Sequence, residues 1–242
     1  MKEYTGENVK NYRQPSDKYV CLFPAIKTAL DTYATQQSNV LDLGCGDGIL
    51  YSLFFNDAKY SYTGIDLSRD MVEQAKSKNP SGNFIVGDAT NLPKDTLYDL
   101  VIANMLFPSI SDFANFTAVF EQVSKVLKSN GYFIATIINP FLDGYMQAEL
   151  FNRTDIETEF KGYYESGACY LAHREIDGVK FTFEDYHWQL SDYIKAGYKS
   201  SLALINIDEC VPIKIENVNP IKILKMQSIP TYLVLVFCNS RV

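Results

Sequence analysis

Acidic and amide residues follow several apolar runs of this chain, at positions where side chains can bind a small polar molecule. The first run is Val40-Leu41-Asp42-Leu43, and glycines follow it at 44, 46 and 48. Glycine allows positive φ angles and lets a ligand approach the main chain closely. The pattern predicts a strand, a tight glycine turn and a helix, which together can build a nucleotide site.

Acidic or amide residues also follow three later apolar runs. Asp66 follows the second run, and a carboxylate there can accept two hydrogen bonds from a ribose diol. Asp88 follows the third run and can accept from an exocyclic amine such as that of adenine, although it could also be a turn aspartate. Asn104 follows the fourth run. The ends of successive parallel strands lie at one edge of a sheet, so these residues are expected to share one crevice.

The elements that position these residues are predicted from apolar spacing. Ser68 is a good N-cap for the helix that follows Asp66, and Asn130-Gly131 is a helix stop. Strand–helix units in a row, with almost continuously apolar strands, indicate a parallel sheet with helices on both faces. We predict strands at 40–43, 60–65, 84–86, 98–103 and 132–138, and helices over 21–35 and 112–128.

The regular succession of strand and helix patterns ends after residue 138. Two β runs at 169–176 and 179–186 flank Asp177-Gly178 and predict a hairpin. A helix over 190–196 should end at Gly197, and the apolar runs 202–207 and 231–238 should pair as an antiparallel edge. We predict one domain over 1–242, divided into an N-terminal arm and helix (1–37), a cofactor-binding core (38–138), a cap (139–187) and a C-terminal part (188–242).

Composition narrows the function further. With 22 basic and 29 acidic residues, the 242-residue chain has a formal charge of −7, which disfavours binding to bulk nucleic acid. Its 5 cysteines form no CxxC pair or zinc spacing, so we expect no metal site. The N-terminus has no signal-peptide pattern, and no apolar run could span a membrane. We therefore expect a cytoplasmic protein that has no membrane contact.

The ordered segments resemble those of class I S-adenosylmethionine-dependent methyltransferases. Val40 to Gly48 is similar to motif I of that family, Gly64 to Ser68 to its acidic segment, and Phe84 to Ala89 to its adenine-binding segment. The resemblance implies a Rossmann-like α/β fold, with seven strands that are mostly parallel and a last strand that is antiparallel. It implies S-adenosyl-L-methionine as the cofactor.

The resemblance also assigns cofactor contacts. It places Asp42 ahead of the loop, the loop itself along the methionine part, and Asp66 on the ribose. The other residues implied are Gly44, Cys45 and Gly46 for methionine, Leu67, Met71, Asp88 and Ala89 for adenine, Asn104 and Met105 to close the crevice, and Tyr12 over the methionine carboxylate. A dinucleotide site fits less well, because the third glycine comes one residue early and Asp42 would repel a pyrophosphate.

The acceptor of the methyl group is predicted from the cap. Its rings suit a small organic molecule methylated on O or N, although such rings could equally pack the cap on the sheet. Candidate substrate contacts are Phe107, Phe141, Tyr145, Tyr186 and Trp188. His187 is a candidate general base, and the alternative is a surface histidine.

Other functions stay open at this point. The segment after the fourth strand, Asn104-Met105-Leu106-Phe107, lacks the Asn/Asp-Pro-Pro-aromatic motif of nucleic-acid amino methyltransferases. A tRNA or protein methyltransferase and a non-catalytic S-adenosylmethionine-binding regulatory subunit are the alternatives. We expect a monomer or a homodimer.

Overall fold

The chain forms a seven-stranded sheet with helices on both faces. In the computed structural model, the structure describes residues 9, 18–57, 59–142, 156–158, 162–176, 179–213 and 227–240. The strands of the main sheet are β1 (Asn39–Leu43), β2 (Ser61–Asp66), β3 (Asn83–Val86), β4 (Tyr98–Asn104), β5 (Leu127–Ile138), β9 (Leu202–Glu209) and β10 (Tyr232–Asn239).

The strand order is β3-β2-β1-β4-β5-β10-β9. Neighbouring strands from β3 to β5 are parallel, whereas β10 is antiparallel to both β5 and β9. Strand β10 therefore runs against the other six. This confirms the predicted mostly parallel Rossmann-like sheet with an antiparallel last strand.

Three of the four helices named here begin where a side chain satisfies a free N–H group, and the first has no side-chain cap. These helices are α1 (Phe23–Tyr33), α2 (Arg69–Lys78), α3 (Phe113–Val126) and α4 (Leu190–Lys199). The Ser68 hydroxyl accepts from the N–H of Met71 at 3.2 Å, and Asp112 accepts from the N–H of Asn115 at 2.8 Å. A serine or aspartate in this position typically stabilises a helix by about 1 kcal/mol.

The glycine turn after β1 leads into a short π-helical segment, Tyr51–Phe55, and a similar turn at Lys18–Leu22 precedes α1. A 3₁₀ turn, Phe107–Ser109, follows β4.

Side chains along the central strands point alternately to the two faces of the sheet, and the core is therefore divided into two clusters. On one face Leu41, Val101 and Phe133 pack against α3 and α4, and on the other Val40, Leu100 and Ile134 pack against α1. Side chains of successive strand residues point to opposite faces, so both faces of this sheet must be apolar. The near-continuous apolar runs of the sequence follow from that burial.

Two predicted helix ends are wrong. Helix α3 ends at Val126 rather than near residue 128, and β5 begins at once. Helix α4 continues through Gly197 to Lys199. A Cβ at Gly197 would lie 2.6 Å from Cε1 of Phe237, so this glycine allows α4 to pack closely on β10 and does not stop the helix.

A second, three-stranded antiparallel sheet consists of β6 (Ile156–Thr158), β7 (Cys169–Ile176) and β8 (Val179–Tyr186). Strands β7 and β8 have the predicted bounds, while the turn at 177–178 lies outside the described residues. The division of the chain into arm, core, cap and C-terminal part stays a prediction. Among the described residues, no helix is both long and apolar enough to cross a membrane.

Candidate active site

Main-chain hydrogen bonds hold the glycine loop that follows β1. The N–H groups of Gly44 and Cys45 both donate to the carbonyl of Ile65 on β2, at 2.8 and 3.0 Å. Gly46 has a φ of +55°, which side chains disfavour, and a Cβ there would meet only Met71, at 3.9 Å. The loop is therefore held to the sheet on one side and leaves open space at Gly46.

The Asp66 carboxylate lies where β2 ends and is tied to this loop. Its Oδ2 accepts from the N–H of Gly46 at 2.8 Å, and its Oδ1 accepts from the N–H of Ser68 at 2.9 Å. A carboxylate has about four lone-pair positions, so its two oxygens can accept several hydrogen bonds at once. The geometry fits recognition of a diol.

Asp42 lies beneath the loop and is 1% exposed. Its Oδ2 accepts from the Tyr62 hydroxyl at 2.7 Å, while its Oδ1 is buried with no hydrogen-bond partner among the described residues. Desolvation raises the pKa of Asp42 to about 7; the hydrogen bond from Tyr62 opposes that rise and the charge of Asp66 adds to it. A buried oxygen of this kind would favour a cation bound above the loop.

The end of β4 forms the opposite wall. Asn104 is the last residue of the strand and Met105 follows it, with a φ of +57°, an uncommon conformation for a residue with a side chain. Leu106 packs over the loop so closely that a Cβ at Gly44 would lie 2.9 Å from its Cδ1. The β4 wall and the glycine loop are therefore direct neighbours.

These walls enclose a cleft of about 830 Å³, a volume that includes open solvent at its mouth. The lining combines predicted and unpredicted residues. Of the predicted cofactor contacts, Gly44, Cys45, Gly46, Asp66, Leu67, Met71, Ala89, Asn104 and Met105 line it. The residues that the sequence analysis missed are Lys18, Ile49, Ile65, Gly87, Leu106, Ser109 and Asp185.

Two predicted cofactor residues do not line the cleft, and a third is not described. Asp42 lies below it, as described above. The Oδ1 of Asp88 accepts from the N–H and the hydroxyl of Thr90, both at 2.8 Å, and the residue is absent from the cleft lining. These bonds fit the turn role that the sequence left open, and the adenine contact of Asp88 stays a prediction. Tyr12 lies outside the described residues, as does the candidate substrate contact Tyr145.

Two predicted substrate contacts are core residues instead. Phe107 is 0% exposed and packs against the rings of α3 and α4. Trp188 is buried with its ring centroid 4.5 Å from that of Phe116, and its indole N–H donates to the carbonyl of Ile110. Burial against other rings separates both side chains from the cleft.

Phe141 is 54% exposed and stacks on Tyr163, with ring centroids 4.4 Å apart. It is absent from the cleft lining.

The alternation of side chains along β8 explains why the predicted substrate contact Tyr186 does not line the cleft. The Tyr186 hydroxyl donates to Glu184, the residue two positions earlier on the same face of β8. Asp185 points the other way, into the cleft. Tyr186 and Asp185 therefore lie on opposite faces of β8, and only Asp185 lines the cleft. Lys18 had no signal in the sequence.

His187 does not match the predicted base or its surface alternative. The residue is 1% exposed, it is absent from the cleft lining, and its Nε2 lies 2.8 Å from the carbonyl oxygen of Tyr163. A carbonyl only accepts, so Nε2 carries the proton and donates in this contact. That nitrogen is thus not available to take a proton from an acceptor.

Comparisons with known proteins identify the family of this chain. A family model described as a methyltransferase domain matches residues 34–193. A demethylmenaquinone methyltransferase of Thermotoga maritima is 35% identical over 103 residues, covering 42% of this chain and 44% of that protein. Malonyl-[acyl-carrier protein] O-methyltransferase 1 of Ilyobacter polytropus is 31% identical over 120 residues, covering 46% of this chain and 44% of that protein. The matches thus span less than half the length of these two relatives.

The fold has matching solved structures. An S-adenosylmethionine-dependent methyltransferase from Mesorhizobium loti superposes with a TM-score of 0.66 at 20% identity, over 89% of this chain and 96% of that chain. A second, from Clostridium acetobutylicum, gives 0.64 at 18% identity over 88% of each chain. The chain therefore belongs to the methyltransferase domain family and has the fold of class I S-adenosylmethionine-dependent methyltransferases.

Proposed function

We propose that this chain transfers a methyl group from S-adenosyl-L-methionine to an oxygen or nitrogen of a small organic acceptor. The observation that carries the proposal is the composition of the cleft. One part of its lining consists of the glycine loop and the end of β2, and another consists of Ser109 and Asp185 from two separate elements. The cleft thus has walls for an adenosyl group and further polar walls for a second molecule.

The residues present fit this cofactor. Asp66 offers carboxylate oxygens to the ribose hydroxyls, and Leu67, Met71 and Ala89 offer apolar contact to an adenine. The orphaned Oδ1 of Asp42 gives the site negative character, which suits the ammonium and sulfonium charges of the methionine part. The open side of Gly46 leaves space for that part against the main chain.

In methyl transfer the protein mainly has to position the acceptor and the cofactor relative to each other. The cofactor supplies an activated methyl group, and an in-line displacement needs the acceptor held close behind it in a dry cleft. Leu106 and Met105 line the cleft with apolar surface that excludes water. Asp185 and Lys18 bring one group of each sign to the cleft lining, where they can orient a polar acceptor.

A small acceptor is favoured over a macromolecule by charge. The chain carries a formal charge of −7, which opposes approach of a polyanion such as tRNA. The names of the relatives point to varied acceptors, since one is a malonyl-[acyl-carrier protein] O-methyltransferase and another a demethylmenaquinone methyltransferase. We extend from them only the reaction type. We also propose a cytoplasmic location, which the structure does not test.

The test combines binding with transfer. Calorimetry with S-adenosylhomocysteine should give one site per chain, and Asp66→Ala should weaken it. Radiolabelled S-adenosylmethionine is then incubated with pools of small carboxylic acids, phenols and amines, and in parallel with total tRNA. Label in a small-molecule pool supports the proposal, and label in tRNA alone contradicts it. Binding without transfer to any pool would favour the regulatory-subunit alternative.

A further inference from the structure

Thr136 is a polar residue in an apolar stretch of the central strand β5. It is 0% exposed, and its neighbours Ala135 and Ile137 are equally buried. Valine has the same shape and would fill this position without burying a hydroxyl, whose burial costs free energy unless it is hydrogen-bonded. The contacts of the hydroxyl therefore indicate why a threonine stands here.

Both contacts of the hydroxyl go to the wall of the cleft. Its Oγ1 lies 2.8 Å from Oδ1 of Asn104 and 3.2 Å from the backbone nitrogen of Met105. The carbonyl of Thr136 accepts from the same Met105 N–H at 3.1 Å. Asn104 and Thr136 are also register partners in the β4–β5 pair.

The single hydroxyl proton fixes the direction of these bonds. Oγ1 accepts from the Met105 N–H, so its own proton is donated to Oδ1 of Asn104. If the amide of Asn104 were reversed, that buried proton would have no acceptor among the described residues. The hydroxyl thus holds the amide with its oxygen against the sheet and its NH₂ group toward the cleft that Asn104 lines.

The same hydroxyl also supports the turn at Met105. A φ of +57° is unfavourable for a residue with a side chain, and such a conformation persists where its surroundings hold it. Two oxygens of Thr136 accept from the N–H of this residue, and the Met105 side chain lines the cleft. Loss of the hydroxyl would free the Asn104 amide and would leave the Met105 N–H with the carbonyl of Thr136 alone.

The position of Asn104 indicates what its NH₂ group meets. Leu43 and Ala103 are register partners in the β1–β4 pair, so the next residues, Gly44 and Asn104, stand side by side at the strand ends. Among the residues that the structure describes, no hydrogen bond to Nδ2 of Asn104 is formed. The donor pair is therefore placed to meet a molecule that binds beside the glycine loop.

We propose that Thr136 is a positioning residue that presents the Asn104 amide as a hydrogen-bond donor to the carboxylate of the amino-acid part of the cofactor. This inference rests on the proposed function, because it takes S-adenosylmethionine as the bound molecule. It predicts that affinity for the amino-acid part, and not for the adenosine part, depends on the Thr136 hydroxyl.

Two probes separate those parts in a calorimetric test. S-Adenosylhomocysteine carries the amino-acid group, whereas 5′-methylthioadenosine keeps the adenosine and sulfur without it. Thr136→Val should weaken S-adenosylhomocysteine binding about 5- to 10-fold, the effect of losing one or two oriented hydrogen bonds, and leave methylthioadenosine within about 2-fold. Thr136→Ser keeps the hydroxyl and should restore most of the affinity.

Two further variants exclude a merely structural effect. In an Asn104→Ala background, Thr136→Val should cause little further loss of S-adenosylhomocysteine affinity, because the amide is absent and the Met105 N–H keeps the carbonyl of Thr136 as its acceptor. Thr63→Val removes a threonine hydroxyl on β2 that contacts Asn83 and does not line the cleft, so it is the matched control and should bind both probes normally. Thermal unfolding of each variant confirms that the protein under titration is folded.

Equal loss of both probes, or no loss of either in Thr136→Val, would overturn the inference while normal wild-type binding leaves the proposed function in place. Wild-type protein that binds neither probe would overturn both.

Discussion

The two sides of the cleft are built differently. The side formed by the main sheet depends on main-chain hydrogen bonds, such as those of Gly44 and Cys45 to Ile65 and of Gly46 to Asp66. The side formed by the three-stranded sheet contributes one described lining residue, Asp185, to the same cleft. Under the proposed function, the cofactor side would depend on a backbone framework that also positions Asp66 and Asn104, and the acceptor side would depend on individual side chains.

This difference predicts how each side responds to substitution. A change that disturbs the backbone of the main-sheet side should abolish cofactor binding, whereas most changes in the small sheet should alter turnover alone. Four tests, each with its own variants, examine the contrast.

The largest effect is expected at Gly46. Gly46→Val places a branched side chain at a φ of +55° and extends it into the open side of the loop. The strain should lower the free energy of unfolding by about 1–2 kcal/mol, and S-adenosylhomocysteine affinity should fall at least about 100-fold, or roughly 3 kcal/mol. Gly162→Val is the matched control, because a Cβ there meets nothing within 4 Å. Near-normal affinity in Gly46→Val would contradict the comparison.

The second expected effect is on stability as a function of pH. Burial raises the pKa of Asp42 from 3.8 to about 7, so the folded state holds this proton more tightly than the unfolded state. Its contribution to stability is full below pH 3.8 and is lost as the pH rises through about 7. Asp42→Asn keeps an acceptor for Tyr62 and has no charge to bury.

Urea unfolding at pH 5 and pH 8 measures this contribution. Wild type should lose about 3 kcal/mol relative to Asp42→Asn between these values, at about 1.4 kcal/mol per pKa unit. A constant difference between the two proteins would show that Asp42 is ionised in the folded state at pH 5.

A smaller effect is expected for Asp66 and Asp88, two further carboxylates that the sequence predicts as cofactor contacts. Asp66→Ala removes the acceptor for the Gly46 and Ser68 N–H groups and a cleft-lining carboxylate. We expect about 10- to 50-fold weaker S-adenosylhomocysteine binding, as for hydrogen bonds to a charged group. Asp88→Ala should change affinity by less than about 3-fold, because that side chain caps its own turn. Equal effects would restore Asp88 as an adenine contact.

The smallest expected effect is at His187, on the small-sheet side. His187→Ala loses the bond to the Tyr163 carbonyl and should lower the free energy of unfolding by about 1–2 kcal/mol, with S-adenosylhomocysteine affinity unchanged. His187→Gln can keep an N–H donor but cannot act as a base. Methyl transfer that survives in His187→Gln supports a structural role, and transfer lost in both folded variants would identify His187 as the base.

The sequence was most informative where function depends on local geometry. The glycines at 44, 46 and 48 all have positive φ values, and Asp66 and Asn104 lie at strand ends beside them, as predicted. Such features depend on a few adjacent residues, and parallel pairing then brings the strand ends together.

The sequence was least informative where a residue's environment depends on distant packing. Aromatic composition does not distinguish a ring that lines a cleft from one that fills a core, and Phe107 and Trp188 are core rings. Gly197 resembles a helix stop, yet its absent side chain accommodates Phe237 from another element. Lys18 reaches the cleft from a segment outside the strand–helix units, so no local pattern marks it.

A crystal structure of the chain with S-adenosylhomocysteine is the most direct test of the central claim. The account predicts ribose hydroxyls on the Asp66 carboxylate, the amino-acid part along Gly44 to Gly46, and the sulfur facing the space between Ser109 and Asp185. An empty cleft, or an adenosine bound away from Asp66, would contradict it.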